Sequence, residues 1–386
     1  MANRRRLDEL ATEIDTLECT LAERRAEHAA IRASLVYPVI TLPAELVSAI
    51  FLRCIPPYPR CPQLFSGTLL QLTHVCTHWR AIAHATPELW RSIALFDTPF
   101  DPPEALVRRH METARTWLAR SGSLPLSICM KRNGIPGSDT VLAVWREAFA
   151  MIWAHRARWE YADIDVVRQD SIELNAALPL LRGLRVSSFM LSTEPPTGVV
   201  RCYFEAPLLQ TVHGWFGATA QYLLDRVVCA RLRQIKLEHV GPIMVARLLE
   251  CIPHLTRGWF DLWNPCDEEE EGIAAPESLP SLDHLDTFII EIPGDCPRIN
   301  ELLALIAAPN LTRLSFEHND RPDTDEVQHL AGLIRRMGCR SKLQRLCVTG
   351  GANESIYGAE FKDVPNIEYS RAHPEENWGG WDWILE

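Results

Sequence analysis

Residues 42–55 read LPAELVSAIFLRCI, and residues 69–95, beyond a proline-rich insert, read LLQLTHVCTHWRAIAHATPELWRSIAL. Pro43 suits the first turn of a helix, because its missing N–H would be unpaired there, and Glu45 would meet the positive end of the helix dipole. Apolar residues then recur at helical spacing, at Leu46, Ile50, Phe51 and Cys54. The segment therefore predicts an amphipathic helix.

A second apolar stripe follows with the same period, at Leu69, Leu72, Cys76, Trp79 and Ala83. A third short segment opens with Pro87 and carries Leu89 and Trp90. Such short helices cannot hide this much apolar surface in one another, and a large exposed apolar patch usually marks an interface. The stretch therefore predicts a helical module that binds a partner.

The module resembles the F-box, the three-helix unit by which substrate receptors of ubiquitin ligases hold the Skp adaptor. The matching pattern is Leu42-Pro43-x-Glu45-Leu46, Ile50-Phe51, Val75-Cys76-x-x-Trp79 and Leu89-Trp90. The resemblance implies that Phe51, Trp79 and Trp90 hold the helices together. It also implies a set of residues facing the adaptor: Leu42, Pro43, Leu46, Val47, Ile50, Leu70 and Val75.

The match to the F-box departs in two places. The insert from Pro56 to Thr68 is longer than a minimal F-box loop, and Thr77 and His78 stand where a basic pair is common. Both departures concern the detail of the adaptor contact. We place the module at residues 37–96.

Residues 1–36 form a heptad pattern ahead of this module. Leu7, Leu10, Ile14, Leu17, Leu21, His28, Ile31 and Leu35 alternate at three and four, with Arg24 interrupting the seam. The pattern predicts one helix that either self-associates in a coiled coil or docks on its own F-box. With Tyr37-Pro38 after it, the arrangement resembles F-box proteins of mushroom-forming fungi.

A unit of the form Leu-x-x-Leu-x-apolar recurs between residues 181 and 370, usually with a proline two residues before its first leucine. The clearest copies start at Leu181, Leu232, Leu311 and Leu343; partial copies start at Leu209 and Leu282, and degenerate ones at Leu255 and Ile367. Proline starts an extended segment, alternating apolar side chains define a strand, and helical patterns lie between. The spacing resembles leucine-rich repeats and predicts an α/β solenoid.

The full predicted architecture is α/β: an N-terminal helix and three-helix F-box, then a leucine-rich-repeat-like solenoid. Residues 97–180 would supply irregular first repeats or a linker, and residues 371–386 an aromatic tail that caps the last repeat or serves as a docking peptide. Polar residues between the apolar anchors would line the concave, substrate-binding face. They are Arg185, Lys236, Glu238, Arg313, Ser315, Glu317 and Arg345.

The bulk properties bound the class of protein. Residues 1–120 hold 14 Lys+Arg against 13 Asp+Glu, a net charge of +1, so the remainder carries -12 of the chain's total of -11, which argues against nucleic-acid binding there. The start lacks the apolar core of a secretory signal, and the 12 cysteines include no C-x-x-C pair. We therefore expect a soluble protein with reduced thiols, cytoplasmic and/or nuclear, without a membrane partner.

Signals for catalysis are weak. His74, Cys76 and His78 have helical zinc spacing but lie inside the F-box pattern, and Asp163-x-Asp165 is expected to be a solvated pair on a strand. The acidic run 267–271 predicts a solvated loop. Because no phosphate-binding glycine loop or nucleophile elbow occurs, we expect no enzyme, cofactor or metal site.

The resemblance implies a substrate-recognition subunit of a Skp-cullin-F-box ubiquitin ligase. The F-box would bind the Skp adaptor, and through it a cullin, while the solenoid would bind an unidentified protein substrate. The alternative is a non-catalytic leucine-rich-repeat scaffold that binds a Skp adaptor without directing degradation.

Overall fold

A computed structural model describes residues 2–34, 41–61, 67–96, 103–131, 139–167, 176–189, 204–215, 231–262, 276–291, 299–318, 324–350 and 354–370. The acidic run 267–271, the aromatic tail 371–386 and the residue pair Tyr37-Pro38 lie outside these ranges. Residues 222–227, one of the helical patterns between the repeat copies, also lie outside them. None of the described helices combines the length and the apolar character needed to cross a membrane.

The N-terminal part is helical. Helix α1 (Ala2–Ser34) precedes α2 (Ala44–Cys54), α3 (Thr68–Val75), α4 (Thr77–His84) and a 3-10 turn at Pro87–Trp90. The second apolar stripe predicted from the sequence is divided between α3 and α4. Cys76 adopts an extended conformation there and caps α4, because its Sγ accepts a hydrogen bond from the Trp79 N–H at 3.4 Å.

The remainder is a parallel sheet whose strands alternate with helices. Eleven of the described strands form this sheet in chain order, which confirms the predicted leucine-rich-repeat-like α/β architecture. The strands are β1 (Ser92–Leu95), β2 (Leu126–Met130), β3 (Trp159–Val167), β5 (Gly183–Phe189), β7 (Thr211–Trp215), β8 (Gln234–Val240), β9 (Arg257–Leu262), β10 (Thr287–Glu291), β11 (Arg313–His318), β12 (Arg345–Gly350) and β13 (Asn366–Ser370), with a separate pair β4 (Ala176–Ala177) and β6 (Phe204–Glu205).

Helices lie between many of these strands. They are α5 (Glu104–Arg120), α6 (Asp139–Trp153), α7 (Pro242–Cys251), α8 (Ile299–Leu305), α9 (Thr324–Arg336) and α10 (Glu354–Glu360), with a 3-10 turn at Arg156–Arg158. Strand residues such as Leu184, Leu314 and Leu346 share one buried core with helix residues such as Leu248 and Ile334. One face of the sheet therefore packs on the helices. On the opposite face, the buried residues Trp259, Ile289 and Cys347 form a separate cluster that contains no residue of a described helix. We call this face the helix-free face.

The repeated leucine is the buried anchor of each turn. Leu181, Leu232 and Leu343 are all nearly inaccessible to solvent. The residue after each of these leucines donates its N–H to a carbonyl of the preceding turn. The N–H of Arg233 donates to the Gln210 carbonyl, and the N–H of Gln344 to the Thr312 carbonyl, both at 2.8 Å. The sequence unit thus recurs because each turn must form the same backbone hydrogen bonds to the carbonyl groups of the turn before it.

Strand register corrects two of the predicted anchors. Phe288 pairs with Leu314, so Leu285 rather than Leu282 occupies the anchor position. Ile367 pairs with Leu346 and lies within the last strand, so its anchor is Val364. The copy at Leu255 looks degenerate because Gly258 replaces the second leucine. An added Cβ there would come within 3.0 Å of the Phe260 ring.

The sheet also begins earlier than the predicted solenoid. Strand β1 follows the 3-10 turn at Pro87–Trp90 directly, and β2 and β3 lie within residues 97–180, the segment predicted to supply irregular first repeats or a linker. Trp90 joins the two parts, since its ring packs edge-on against Trp117 of α5 at 5.3 Å. The F-box region and the sheet therefore share a continuous core.

Candidate adaptor and substrate surfaces

An exposed apolar patch lies on the F-box region. Leu46 and Ile50 are one turn apart on α2 and are 53% and 46% exposed, and Val75 at the end of α3 is 60% exposed. Leu52, which sequence reasoning did not single out, is also exposed. Leu46 and Ile50 share one face of α2, and exposed aliphatic side chains on one helix face are typical of a binding surface.

The other predicted adaptor residues divide between surface and core. Pro43 is exposed at the start of α2, and Leu42 and Leu70 are half-buried. Val47 is only 1% exposed in the free chain, whereas its predicted role as an adaptor contact needs an accessible side chain. It lies one turn before Phe51, on the face of α2 that packs into the core.

Aromatic side chains hold the helices of this region together, as the resemblance implied. The Phe51 and Trp79 rings meet edge to face with centroids 5.1 Å apart. The Trp90 indole N–H donates to the Ala83 carbonyl at 2.8 Å, which ties the 3-10 turn to α4. These contacts fix the exposed patch on a rigid base.

The insert before α3 packs on the first strands of the sheet. The Tyr58 hydroxyl donates to the Glu160 carboxylate at 2.9 Å, and the Arg91 guanidinium lies 3.5 Å from the centre of the Tyr58 ring. The Ser127 hydroxyl donates to the Pro59 carbonyl at 2.6 Å. Burial and the hydrogen bond to Glu160 raise the pKa of Tyr58. The long insert therefore orients the F-box region relative to the sheet.

Tyr58→Ala is expected to destabilise this junction by about 2 to 4 kcal/mol, because it removes a packed ring, a cation–π contact and a hydrogen bond. Tyr58→Phe keeps the ring and should cost about 1 kcal/mol. Urea unfolding of the full chain measures both. Equal losses in the two variants would show that the ring packing contributes nothing.

All seven predicted substrate-binding residues lie on strands at positions that alternate with the core residues, so the structure brings them to the helix-free face. Register arranges this face in three rows. A row at the strand starts is basic, with Arg257, Arg313 and Arg345; the middle row holds Lys236, Trp259, Ile289, Ser315 and Cys347; and the row at the strand ends is acidic, with Glu238, Asp261, Glu291 and Glu317.

The middle row is buried, which the sequence analysis did not expect. Ser315 is 1% exposed, it stands in register between Ile289 and Cys347, and its hydroxyl bonds to the Cys347 thiol. Lys236 is also buried. Its ammonium lies 3.5 Å from the centre of the Trp259 ring. The residues named in the two charged rows are partly exposed and so more accessible than this buried set.

A second charged cluster surrounds Glu238. Its carboxylate is 2.9 Å from His213 Nε2 and 3.4 Å from Lys236 Nζ. Burial alone would raise the pKa of Glu238, but the hydrogen bond with His213 and the charge of Lys236 lower it to about 2. Burial lowers the pKa of His213. Glu238 therefore carries its charge throughout the neutral range.

Asp163 differs from the expectation of a solvated pair with Asp165. Its side chain is buried, forms an ion pair with Lys131 and lies 3.9 Å from Arg185. The carboxylate is thus held by cations from neighbouring strands. Within the described part of the chain, no cluster of three or more His, Cys, Asp or Glu side chains could hold a metal ion.

Comparison with known proteins agrees with the helical part of this description. A family model for F-box-like domains matches residues 39–95. No curated protein matches the chain significantly. Residues 39–95 are therefore an F-box-like domain, and a parallel α/β sheet region follows it.

Proposed function

We propose that this chain is a substrate-recognition subunit of a Skp-cullin-F-box ubiquitin ligase. The observation that carries the proposal is the exposed patch of Leu46, Ile50 and Val75 on an F-box-like domain. Such a domain implies Skp binding and is typical of these subunits. The adaptor would contact this patch together with Leu42, Pro43 and Leu70, while Val47 supports it from inside.

The helix-free face is the proposed substrate surface. Its basic row, with Arg313 and Arg345, and its acidic row, with Glu238 and Glu317, suit a protein segment that carries both signs of charge. Arg185 extends the surface toward the F-box end of the sheet. Charged rows of this kind select a partner by complementarity more than they add affinity.

The proposed mechanism is proximity. The F-box-like domain and the sheet share one core, and the insert at Tyr58 fixes their relative orientation. A substrate on the sheet would therefore stay at a fixed place relative to an enzyme held by the adaptor and cullin. The effective concentration of substrate lysines near that enzyme would rise.

We propose a revised domain division on the same grounds. The N-terminal helix occupies residues 1–36 and the F-box residues 37–91. The solenoid begins at Ser92, the start of β1, and runs to residue 370, followed by the tail 371–386.

Affinity purification of the full chain, with and without proteasome inhibition, tests the function. A substrate should accumulate on the chain when the proteasome is inhibited, and its lifetime should depend on the cullin. The Ile50→Asp variant should retain the substrate and lengthen its lifetime. A bound partner whose lifetime changes neither on removal of the cullin nor in the Ile50→Asp variant would favour the scaffold alternative.

Lysine placement gives a further prediction. The chain has four lysines, of which Lys236 is buried and Lys131 is paired with Asp163. Lys342 and Lys362 are exposed near β12 and β13, nine and ten strand spacings, or about 43 and 48 Å along the sheet, from β1. We therefore expect slow self-ubiquitylation in a reconstituted ligase.

Arg53→Lys with Arg60→Lys should accelerate this reaction, because both arginines are exposed close to the F-box patch. The matched control is Arg336→Lys on α9, near the far end of the sheet, which should have little effect. The rate of modified chain formation is the measurement. A wild-type chain modified as fast as the double variant would contradict the prediction.

A further inference from the structure

The apolar seam of α1 is exposed along the helix. Leu7, Ile14 and Leu17 are 67%, 53% and 62% exposed, and Leu10, Leu21 and Ile31 are exposed as well. The hydrogen bonds and ion pairs found on α1 in the described structure join residues three or four apart within the helix, as in the pairs Arg6–Glu9 and Arg24–Glu27. Nothing in the described F-box-like domain covers the seam.

A helix in this state requires a partner. Isolated helices are marginal in water, and helices in proteins are stabilised mainly by packing their apolar face. The sequence pattern has a period of 3.5 residues, the period that keeps a seam facing a second helix. We propose that α1 pairs with α1 of a second copy of this chain in a parallel coiled coil.

The length of the seam favours a second copy over the chain's own F-box-like domain. From Leu7 to Ile31 the seam extends about 36 Å, whereas the 11-residue α2 is about 16 Å long. Helix α2, which carries Leu46 and Ile50, could therefore cover less than half of the seam. A second α1 has the same length and the same pattern, so it covers the whole.

The heptad positions define the layers of the dimer. The a positions are Leu7, Ile14, Leu21 and His28, and the d positions are Leu10, Leu17, Arg24 and Ile31. The first five layers, from Leu7 to Leu21, are apolar without interruption. Arg24 and His28 place two polar layers toward the F-box-like domain, and the Glu27 carboxylate lies 2.7 Å from Arg24. The dimer should therefore dissociate reversibly.

The flanking charges favour the parallel arrangement. In register, Glu27 of one copy faces Arg32 of the other, and Glu13 faces Glu18, so attraction offsets repulsion. In the antiparallel arrangement that aligns all eight layers, the two charged residues of each flanking pair carry the same sign of charge and repel each other. Those pairs are Glu13 with Glu27, Glu18 with Glu18, and Arg4 with Arg32.

Sedimentation of the full chain over a concentration series up to about 100 µM tests the pairing. The wild type should show a monomer–dimer equilibrium. Leu17→Asp buries an unpaired carboxylate in each helix and should weaken the dimer by roughly 100-fold or more. Thr16→Asp introduces the same charge at an exposed position outside the seam and should leave the equilibrium unchanged.

Three further variants test register and guard against loss of the helix itself. Arg24→Leu with His28→Leu should tighten the dimer. Glu18→Arg should tighten a parallel dimer by about 5- to 10-fold, whereas an antiparallel one would be unchanged. Arg32→Glu should weaken the parallel form and strengthen the antiparallel one. A monomeric wild type, a dimer indifferent to Leu17→Asp, or the antiparallel response would overturn the proposal.

The dimer would join two F-box-like domains and two helix-free faces. In the proposed function, a partner that carries two copies of the recognised segment would bind such a dimer with an avidity greater than either single affinity. This consequence depends on the proposed function. The sedimentation measurements do not, so the two can fail independently.

Discussion

Capture of the Skp adaptor is expected to be lost when Pro43→Ala is combined with Ile50→Asp. Ile50 is 46% exposed in the free chain, so an acidic side chain there faces water and leaves the domain folded. In the complex the same carboxylate would be buried without a partner. That costs several kcal/mol, which corresponds to roughly a 1000-fold weaker affinity.

The measurement is co-purification of the adaptor with the full chain, followed by titration of the purified components. Leu180→Asp provides the matched control, because it changes an exposed leucine of the sheet region in the same way. The control should bind the adaptor normally, and both variants should unfold at the wild-type temperature. Undiminished capture by the double variant, or equal loss in the control, would remove the basis for the proposed adaptor site.

Local patterns predicted the elements of this fold because backbone periodicity is local. The helix that follows Pro43 and the buried anchors Leu181 and Leu343 could be predicted from spacings of three and four and from the preceding prolines. The break between α3 and α4 at Cys76 could not be predicted in this way. Cys76 fits the helical spacing of the apolar stripe, but in the structure it is extended and caps α4. Strand β1 (Ser92–Leu95) lies inside the predicted F-box boundaries of residues 37–96, so the sequence pattern did not separate it from the helical module.

Burial on the helix-free face could not be predicted, because it depends on residues that are distant in the chain. Ser315 stands in register between Ile289 and Cys347, which are 26 and 32 residues away in the chain. Asp163 is held by Lys131, 32 residues earlier. The alternation of strand residues assigns a side chain to a face, but its exposure on that face depends on long-range packing.

Leu314→Ala is expected to lower the free energy of unfolding by about 2 to 5 kcal/mol. Leu314 is 2% exposed and stands in register between Phe288 and Leu346 on the helix-packed face of the sheet. Truncation leaves a cavity between these two side chains, and neighbouring turns of a parallel sheet cannot close it without losing register. Urea unfolding of the full chain, monitored by circular dichroism, gives the change.

Two variants show whether this cost comes from the cavity. Leu180→Ala removes the same atoms from a leucine that is 37% exposed and should cost less than about 1 kcal/mol. Ser315→Ala, at the next position on the opposite face, removes the hydrogen bond to Cys347 and should cost about 1 kcal/mol. The three losses should therefore rank with burial and lost volume. If Leu314→Ala and Ser315→Ala shifted unfolding equally, Leu314 would not be the apolar anchor of β11, and the assignment of its two faces would have to be reversed or abandoned.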